Sequence, residues 1–230
     1  MTKATLKRAL IDTLPIMTGY VFLGFGFGIV MNQAGYGLFW SLALSLFTFA
    51  GSMQYVTVGL LTQGVSLLTA ALTTVAVNAR HIFYGISMVD AYKGMGKAKP
   101  YLIFGLTDET YSLVARGTVP EGVSKKWYWF FVTLFDQSWW VLGTVLGACV
   151  GSLLKLNYEG IDFALTALFV TIFVEQWLSS KDHRPALVGV GASLVCLLIF
   201  GAGSFLIPAM AVIAGALIAM RRLGKEADNG

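Results

Sequence analysis

The sequence predicts an all-α integral membrane protein with about seven transmembrane helices, or eight if one ambiguous segment crosses. Three observations carry this. Of 230 residues only 12% are charged and 57% are hydrophobic, whereas an average soluble domain is roughly 25% charged. Apolar stretches recur at the length of about 20 residues that crosses a hydrocarbon core about 30 Å thick. Aromatic side chains sit at the ends of these stretches, where rings prefer the headgroup level: Trp127, Tyr128 and Trp129 open one, Trp177 closes another and Trp40 begins a third.

The spans are read at 10–31, 39–61, 65–89, 127–150, 162–178, 185–202 and 205–220, each sufficient if modest tilt and broken turns are allowed. Residues 91–126 form a polar connector. Within it, 101–117 is apolar apart from Thr107, Asp108, Glu109, Thr110 and Arg116. Two central carboxylates cost about 5–7 kcal/mol on insertion scales, and the large apolar residues return only about 2–4 kcal/mol. The segment is therefore not expected to insert unaided, which favours seven spans and an external N-terminus. If it does cross, there are eight and both termini are inside. The positive-inside rule does not separate the two. Each reading places eleven Lys and Arg inside and four outside, because Lys3, Lys7 and Arg8 trade places with Lys93, Lys97 and Lys99. Both put the C-terminus in the cytoplasm.

An internal echo pairs LGFGFGIV, a loop and span 39–61 with LGTVLGACVG, a loop and span 162–178. Two three-helix repeats with broken helices are expected, over 10–90 and 127–203, within one membrane domain at 1–230. Seven spans would make the repeats inverted, and eight would make them parallel.

The net charge of +4 is spread over loop ends, which reads as a topology signal and as contact with anionic headgroups. Nucleic acid binding is not expected. Cys149 and Cys196 each lie inside an apolar run, and no metal-ligand spacing, Walker loop or dinucleotide fingerprint is present. No cofactor or metal is expected. The first apolar segment starts at Leu10 and continues without a small-residue cleavage site, so no cleavable signal is expected.

Polar groups at membrane depth are costly and are functional candidates by default. In the second span, Gly51 relaxes the helix while Ser52 and Gln54 supply hydrogen-bonding groups. A broken helix exposes N–H groups whose positive end can hold a carboxylate; close helix packing through small residues explains Gly51 and Ser52 equally well. In the third span, Arg80 and Tyr84 share one face, as do Asn78 and His81. Arginine can clamp a carboxylate through two donors and histidine titrates near neutrality, although Arg80 could also serve as an interfacial anchor. Next come Thr107, Asp108, Glu109, Thr110 and Tyr111, where one acid could meet Arg80 and the other face water; a solvated loop is the alternative. Last is Asp136 beside Trp140, a single carboxylate deep in a span that could receive an amine or pair with Arg80. Gly24, Gly26 and Gly28, like Gly143, Gly147 and Gly151, follow spacings that let helices approach closely.

Four motifs, FAGSMQY at 49–55, NARHIFYG at 78–85, FGLTDETY at 104–111 and WVLGTVLGA at 140–148, stand in an order and spacing that resembles the AzlC-type large subunit of branched-chain amino acid exporters. The resemblance runs from about Leu14 to Met220. It implies export of branched-chain and related apolar amino acids across the bacterial inner membrane, together with a small AzlD-type membrane subunit. Asp136 lies outside the shared pattern. The expected function is thus a secondary transporter and not an enzyme. Gly51, Ser52, Gln54, Asn78, Arg80 and Tyr84 are expected to bind substrate, with His81, Asp108 and Glu109 coupling protons and Thr107, Tyr111, Asp136 and Trp140 in support. The alternatives are a channel-like or structural subunit, and an intramembrane hydrolase using Ser52 and His81. The small-residue faces Gly24–Gly28 and Gly201–Gly203 are expected to receive a further helix, from a small subunit or a second copy.

Overall fold

The computed structural model describes residues 3–115, 119, 122–153, 170, 173–174, 177–178, 180, 182–201 and 205–228, and among them the only regular structure is helical. They fall into two compact units, Met1–Ala70 with Val77–Leu165, and Ala71–Ala76 with Thr166–Gly230. The first contains α1 (Lys3–Gln33), α2 (Gly37–Phe47), α3 (Gly51–Thr62), most of α4 (Leu67–Met88), α5 (Lys99–Phe104), α6 (Asp108–Val114) and α7 (Lys125–Leu153). In the second, α8 (Arg184–Phe200) packs against α9 (Leu206–Asp228). Most of the span expected over 162–178 lies outside the described residues, so of the second expected repeat, 127–203, chiefly the two ends are described.

Helices α1 and α7 form the spine of the first unit. Their glycines let backbone meet backbone. A Cβ on Gly143 would press on the Val21 backbone and one on Gly147 on that of Phe25, while a Cβ on Gly24 would lie 2.7 Å from the Trp140 carbonyl oxygen and one on Gly28 would strike that of Thr144. Residue numbers rise together along the seam, Val21 with Gly143, Phe25 with Gly147, Ile29 with Gly151, so the two helices run parallel. The echoing segments LGFGFGIV and LGTVLGACVG therefore face each other. This corrects one expectation: the Gly24–Gly28 face is filled by α7 of the same chain and is not open to another subunit. Of the other expected face, residues 202–204 lie outside the described residues.

Span 39–61 is interrupted. α2 ends at Phe47 and α3 begins at Gly51, with Phe49 at φ 36° between them. The left-handed region after a helix is where glycine is usual, and for a bulky residue it is a strained conformation. Phe49 is held there by burial, its ring edge-on to Tyr20 and tilted against Phe104. α3 then starts without a side-chain cap, as Gly51 lies under the Trp140 ring, where a Cβ would come within 2.9 Å.

A second interruption, Gly105–Thr107, separates α5 from α6. The expected polar connector is thus a pair of short helices over 99–114, not a solvated loop. Leu102, Leu106, Thr110 and Val114 are buried against α7 and its Trp129 and Val132. Gly105 is required because a Cβ there would strike the Thr133 methyl. Thr107 caps α6 by accepting the Thr110 N–H, and Asp108 and Glu109 occupy the first turn, where the helix dipole favours negative charge.

Outward surfaces are apolar. Phe22, Phe39, Phe47, Leu67 and Leu198 are each at least 72% exposed, as suits side chains solvated by lipid. Many hydroxyls in these helices bond a carbonyl of their own helix, including Ser41 to Gly37, Thr57 to Met53, Thr133 to Trp129 and Ser138 to Leu134, which satisfies them without a partner elsewhere.

Candidate functional site

The two interruptions meet around a cavity of about 510 Å³. Thr48, Phe49 and Ala50 line it from the first break, and Phe104 and Leu106 from the second. Asn78, His81 and Gly85 of α4 close a third side, and Lys99 stands on an exposed part of the wall. Most of the lining is apolar, with a few polar groups, the usual composition of a small-molecule site. The uncapped first turn of α3 follows directly on the lining residue Ala50.

Arg80 holds the frame of this cavity. Its Nη2 donates to Ser52 Oγ at 2.8 Å, and its Nη1 lies 2.7 Å from Asp108 Oδ2. Ser52 is in the first turn of α3 and Asp108 in that of α6, so one guanidinium ties the starts of both half-helices to α4. The fork geometry of arginine allows this, because it presents separate donors in fixed directions. Arg80 Nε is buried without a protein partner, so one donor of the fork is uncommitted.

The family profile described as AzlC protein matches residues 15–154. The chain is 44% identical over 225 residues to the Bacillus subtilis (strain 168) branched-chain amino acid transport protein AzlC, covering 98% of this chain and 89% of that one. The chain belongs to the AzlC family. Other relatives are an uncharacterized membrane protein of Haemophilus influenzae, 41% identical over 86% of this chain and 82% of its own length, and the Escherichia coli (strain K12) inner membrane protein YgaZ, 34% identical over 92% and 86%. No solved structure matches.

In this AzlC-family chain the residues singled out from sequence separate into three places. Asn78 and His81 line the cavity, with His81 Nδ1 3.3 Å from the Asn78 carbonyl oxygen. Arg80, Ser52 and Asp108 form the tie behind it. Tyr84 stacks on Tyr111, ring centroids 4.6 Å apart, and meets His81 edge-on, which links α4 to α6. Gln54 is elsewhere: fully buried, it donates to Ser45, which donates to Thr144 on α7. Trp140 is a packing residue for Gly51 and Tyr20. Asp136 does not pair with Arg80; its Oδ2 accepts from Thr110 at 2.8 Å. Glu109 accepts from Tyr20 at 2.6 Å. Among the described residues no cluster of three or more His, Cys, Asp or Glu offers a metal site.

Sequence reasoning missed Thr48, Phe49, Phe104 and Lys99 at the cavity, and Tyr20 behind it. For Tyr20 a signal existed. It stands at i−4 from Gly24 and i−8 from Gly28, on the stripe that faces α7.

Proposed function

We propose that this chain is a carrier of the bacterial cytoplasmic membrane that exports branched-chain and related apolar amino acids, coupled to protons and working with a small AzlD-type subunit. The observation that carries the reading is the cavity at the meeting of two interrupted helices. It joins apolar walls for an aliphatic side chain to an uncapped helix start whose N–H groups suit a carboxylate. The likeness to the Bacillus subtilis branched-chain amino acid transport protein supports amino acids as the cargo. His81 on the wall, and Asp108 and Glu109 beside it, are the titrating groups we assign to coupling. The hydrolase alternative gains no support: Ser52 faces a guanidinium, which cannot accept its proton. Uptake of labelled leucine into inverted vesicles tests the carrier reading. It should saturate, rise with a pH gradient and require the small subunit, whereas linear uptake would favour a channel.

The parallel course of α1 and α7 supports eight crossings over seven. Two parallel spans are separated by an odd number of crossings, and α2–α3, α4 and the α5–α6 pair supply three. On this reading 99–114 is itself an interrupted span, the carboxylates of α6 are sheltered by protein, and the repeats are parallel. A reporter on the N-terminus is then expected in the cytoplasm, and Lys97→Cys should react with an impermeant maleimide added to whole cells. Seven crossings predict the reverse for both.

Gly85 offers a direct test of the cavity. It lines the wall, and a Cβ there meets nothing within 4 Å. Gly85→Ala is expected to fold at least as well, since Ala gains about 1 kcal/mol over Gly in a helix. Gly85→Phe should insert normally and lose most transport by filling the cavity. Unchanged leucine uptake in Gly85→Phe would remove this cavity as the site.

A further inference from the structure

Five side chains form an unbroken run of contacts across α1, α6 and α7. Tyr20 Oη lies 2.6 Å from Glu109 Oε2 and 2.7 Å from Thr107 Oγ1; Thr107 Oγ1 lies 3.1 Å from Thr110 Oγ1; Thr110 Oγ1 lies 2.8 Å from Asp136 Oδ2. Four contacts need four protons, and three hydroxyls supply three. If Tyr20 donates to Glu109, Thr107 to Thr110 and Thr110 to Asp136, nothing is left for the 2.7 Å contact between Tyr20 and Thr107, and two lone pairs would face each other. A proton on either terminal carboxyl resolves this. Carried by Asp136, it turns every hydroxyl towards Glu109; carried by Glu109, it turns every hydroxyl towards Asp136. Thr107 suits both states, because its oxygen also accepts the Thr110 N–H in each.

The burial of Asp136 points the same way. It is fully buried, its Oδ1 has no protein partner, and no Lys or Arg pairs with it among the described residues. An ionised carboxylate there would face one hydroxyl and no cation, a costly arrangement. The other titratable or charged groups around the run are already engaged. Asp108 on α6 pairs with Arg80 on α4, while Tyr84 of α4 stacks on Tyr111 of α6 and meets His81 edge-on. Tyr101 on α5 donates to Gln137, and Tyr55 on α3 to the Leu23 carbonyl. Arg8, Asp12 and Tyr128 meet one another about two turns away. α2 contributes none.

We infer that Asp136 and Glu109 share one proton through the hydroxyls of Thr110, Thr107 and Tyr20, and that this run is the proton path of the carrier. The inference rests on the carrier reading for its role and on geometry for its existence. In one transfer Asp136 gives its proton to Thr110 as Thr110 gives its own to Thr107, Thr107 to Tyr20 and Tyr20 to Glu109. Four O–H bonds break and four form, the negative charge moves from Glu109 to Asp136, and each hydroxyl ends reversed. Both partners of the Tyr20–Thr107 contact touch the cavity frame. The Tyr20 ring packs on Phe49, and Thr107 follows Leu106; Phe49 and Leu106 both line the cavity. A substrate that shifts either interruption changes the Tyr20–Thr107 contact and so opens or closes the path.

The test uses inverted vesicles holding the full chain with its small subunit. Leucine counterflow without a gradient reports the carrier, and accumulation driven by a pH gradient reports coupling. Asp136→Asn, Tyr20→Phe and Thr110→Val are expected to keep counterflow and lose gradient-driven accumulation, and Thr110→Ser to regain it. Infrared spectra of the purified wild type at neutral pH should show a protonated carboxyl band that Asp136→Asn alters. Full gradient-driven accumulation in Asp136→Asn or Thr110→Val, or a wild type that counterflows but ignores the gradient, overturns the path. A wild type without counterflow defeats the carrier reading instead, and the infrared band still decides the shared proton. If the three disruptive variants fail to insert, the wild-type band decides: its presence supports the shared proton and its absence overturns it.

Discussion

Arg80→Lys is expected to lower leucine transport about tenfold or more with the amount of inserted protein unchanged. Arg80 reaches Ser52 and Asp108 with two different nitrogens, and a single ammonium on a flexible stem cannot hold both in those directions. Losing one hydrogen bond to a charged group costs about 1.5–3 kcal/mol, which is about ten- to 150-fold. The start of α3 or of α6 would be released, and with it one edge of the cavity. Initial rates in vesicles, normalised to inserted protein, check this, and wild-type rates would sink it. Asp108→Asn should impair the same step. Combining Arg80→Asp with Asp108→Arg should recover part of the loss if the pair acts as a unit; losses that simply add would argue against contact.

Gly147→Leu is expected to prevent folding altogether. Its Cβ would lie inside the Phe25 backbone, and backbone cannot swing aside as a side chain does. Ordinary overpacking costs about 1–3 kcal/mol, and this contact has no soft partner to absorb it. Detergent extracts of Gly147→Leu should lack the monodisperse species of the wild type, and Gly28→Leu should behave alike from the other side of the seam. Gly189→Leu in α8 serves as the control, because a Cβ there meets nothing within 4 Å.

The fold class was legible because charge is scarce throughout the chain, and that signal does not depend on any one contact. The ion pair of Arg80 was legible in part, since an arginine at depth demands an anion and Asp108 was one of few on offer. Its second partner, Ser52, was read as a substrate group because the sequence does not say which hydroxyls reach across. Ser138 satisfies itself on Leu134, whereas Thr110 reaches Asp136; both are hydroxyls in apolar helices. The second interruption was hidden by its own carboxylates. Insertion arithmetic treats Asp108 and Glu109 as bare charges, but Arg80 and Tyr20 neutralise or bond them. Phe49 and Phe104 opened two of the motifs but were given no role, because an aromatic residue in an apolar run looks like any other until the backbone turns beside it.

Because α1 and α7 touch through peptide groups, sliding or parting them would cost the whole seam, so on the carrier reading proposed above alternation of access is expected to be carried by other elements. α4, α5 and α6 meet their neighbours through side chains, the Arg80 fork, the Tyr84–Tyr111 stack and the Leu102, Leu106 and Val114 packing on α7, and not through a backbone seam. Tyr20 rides on the immobile pair. On that reading it is expected to act as a fixed post past which the two interruptions travel, and the separation of Tyr20 from Thr107, followed by paired spin labels on α1 and α6, should change with substrate while labels across α1 and α7 stay at one distance.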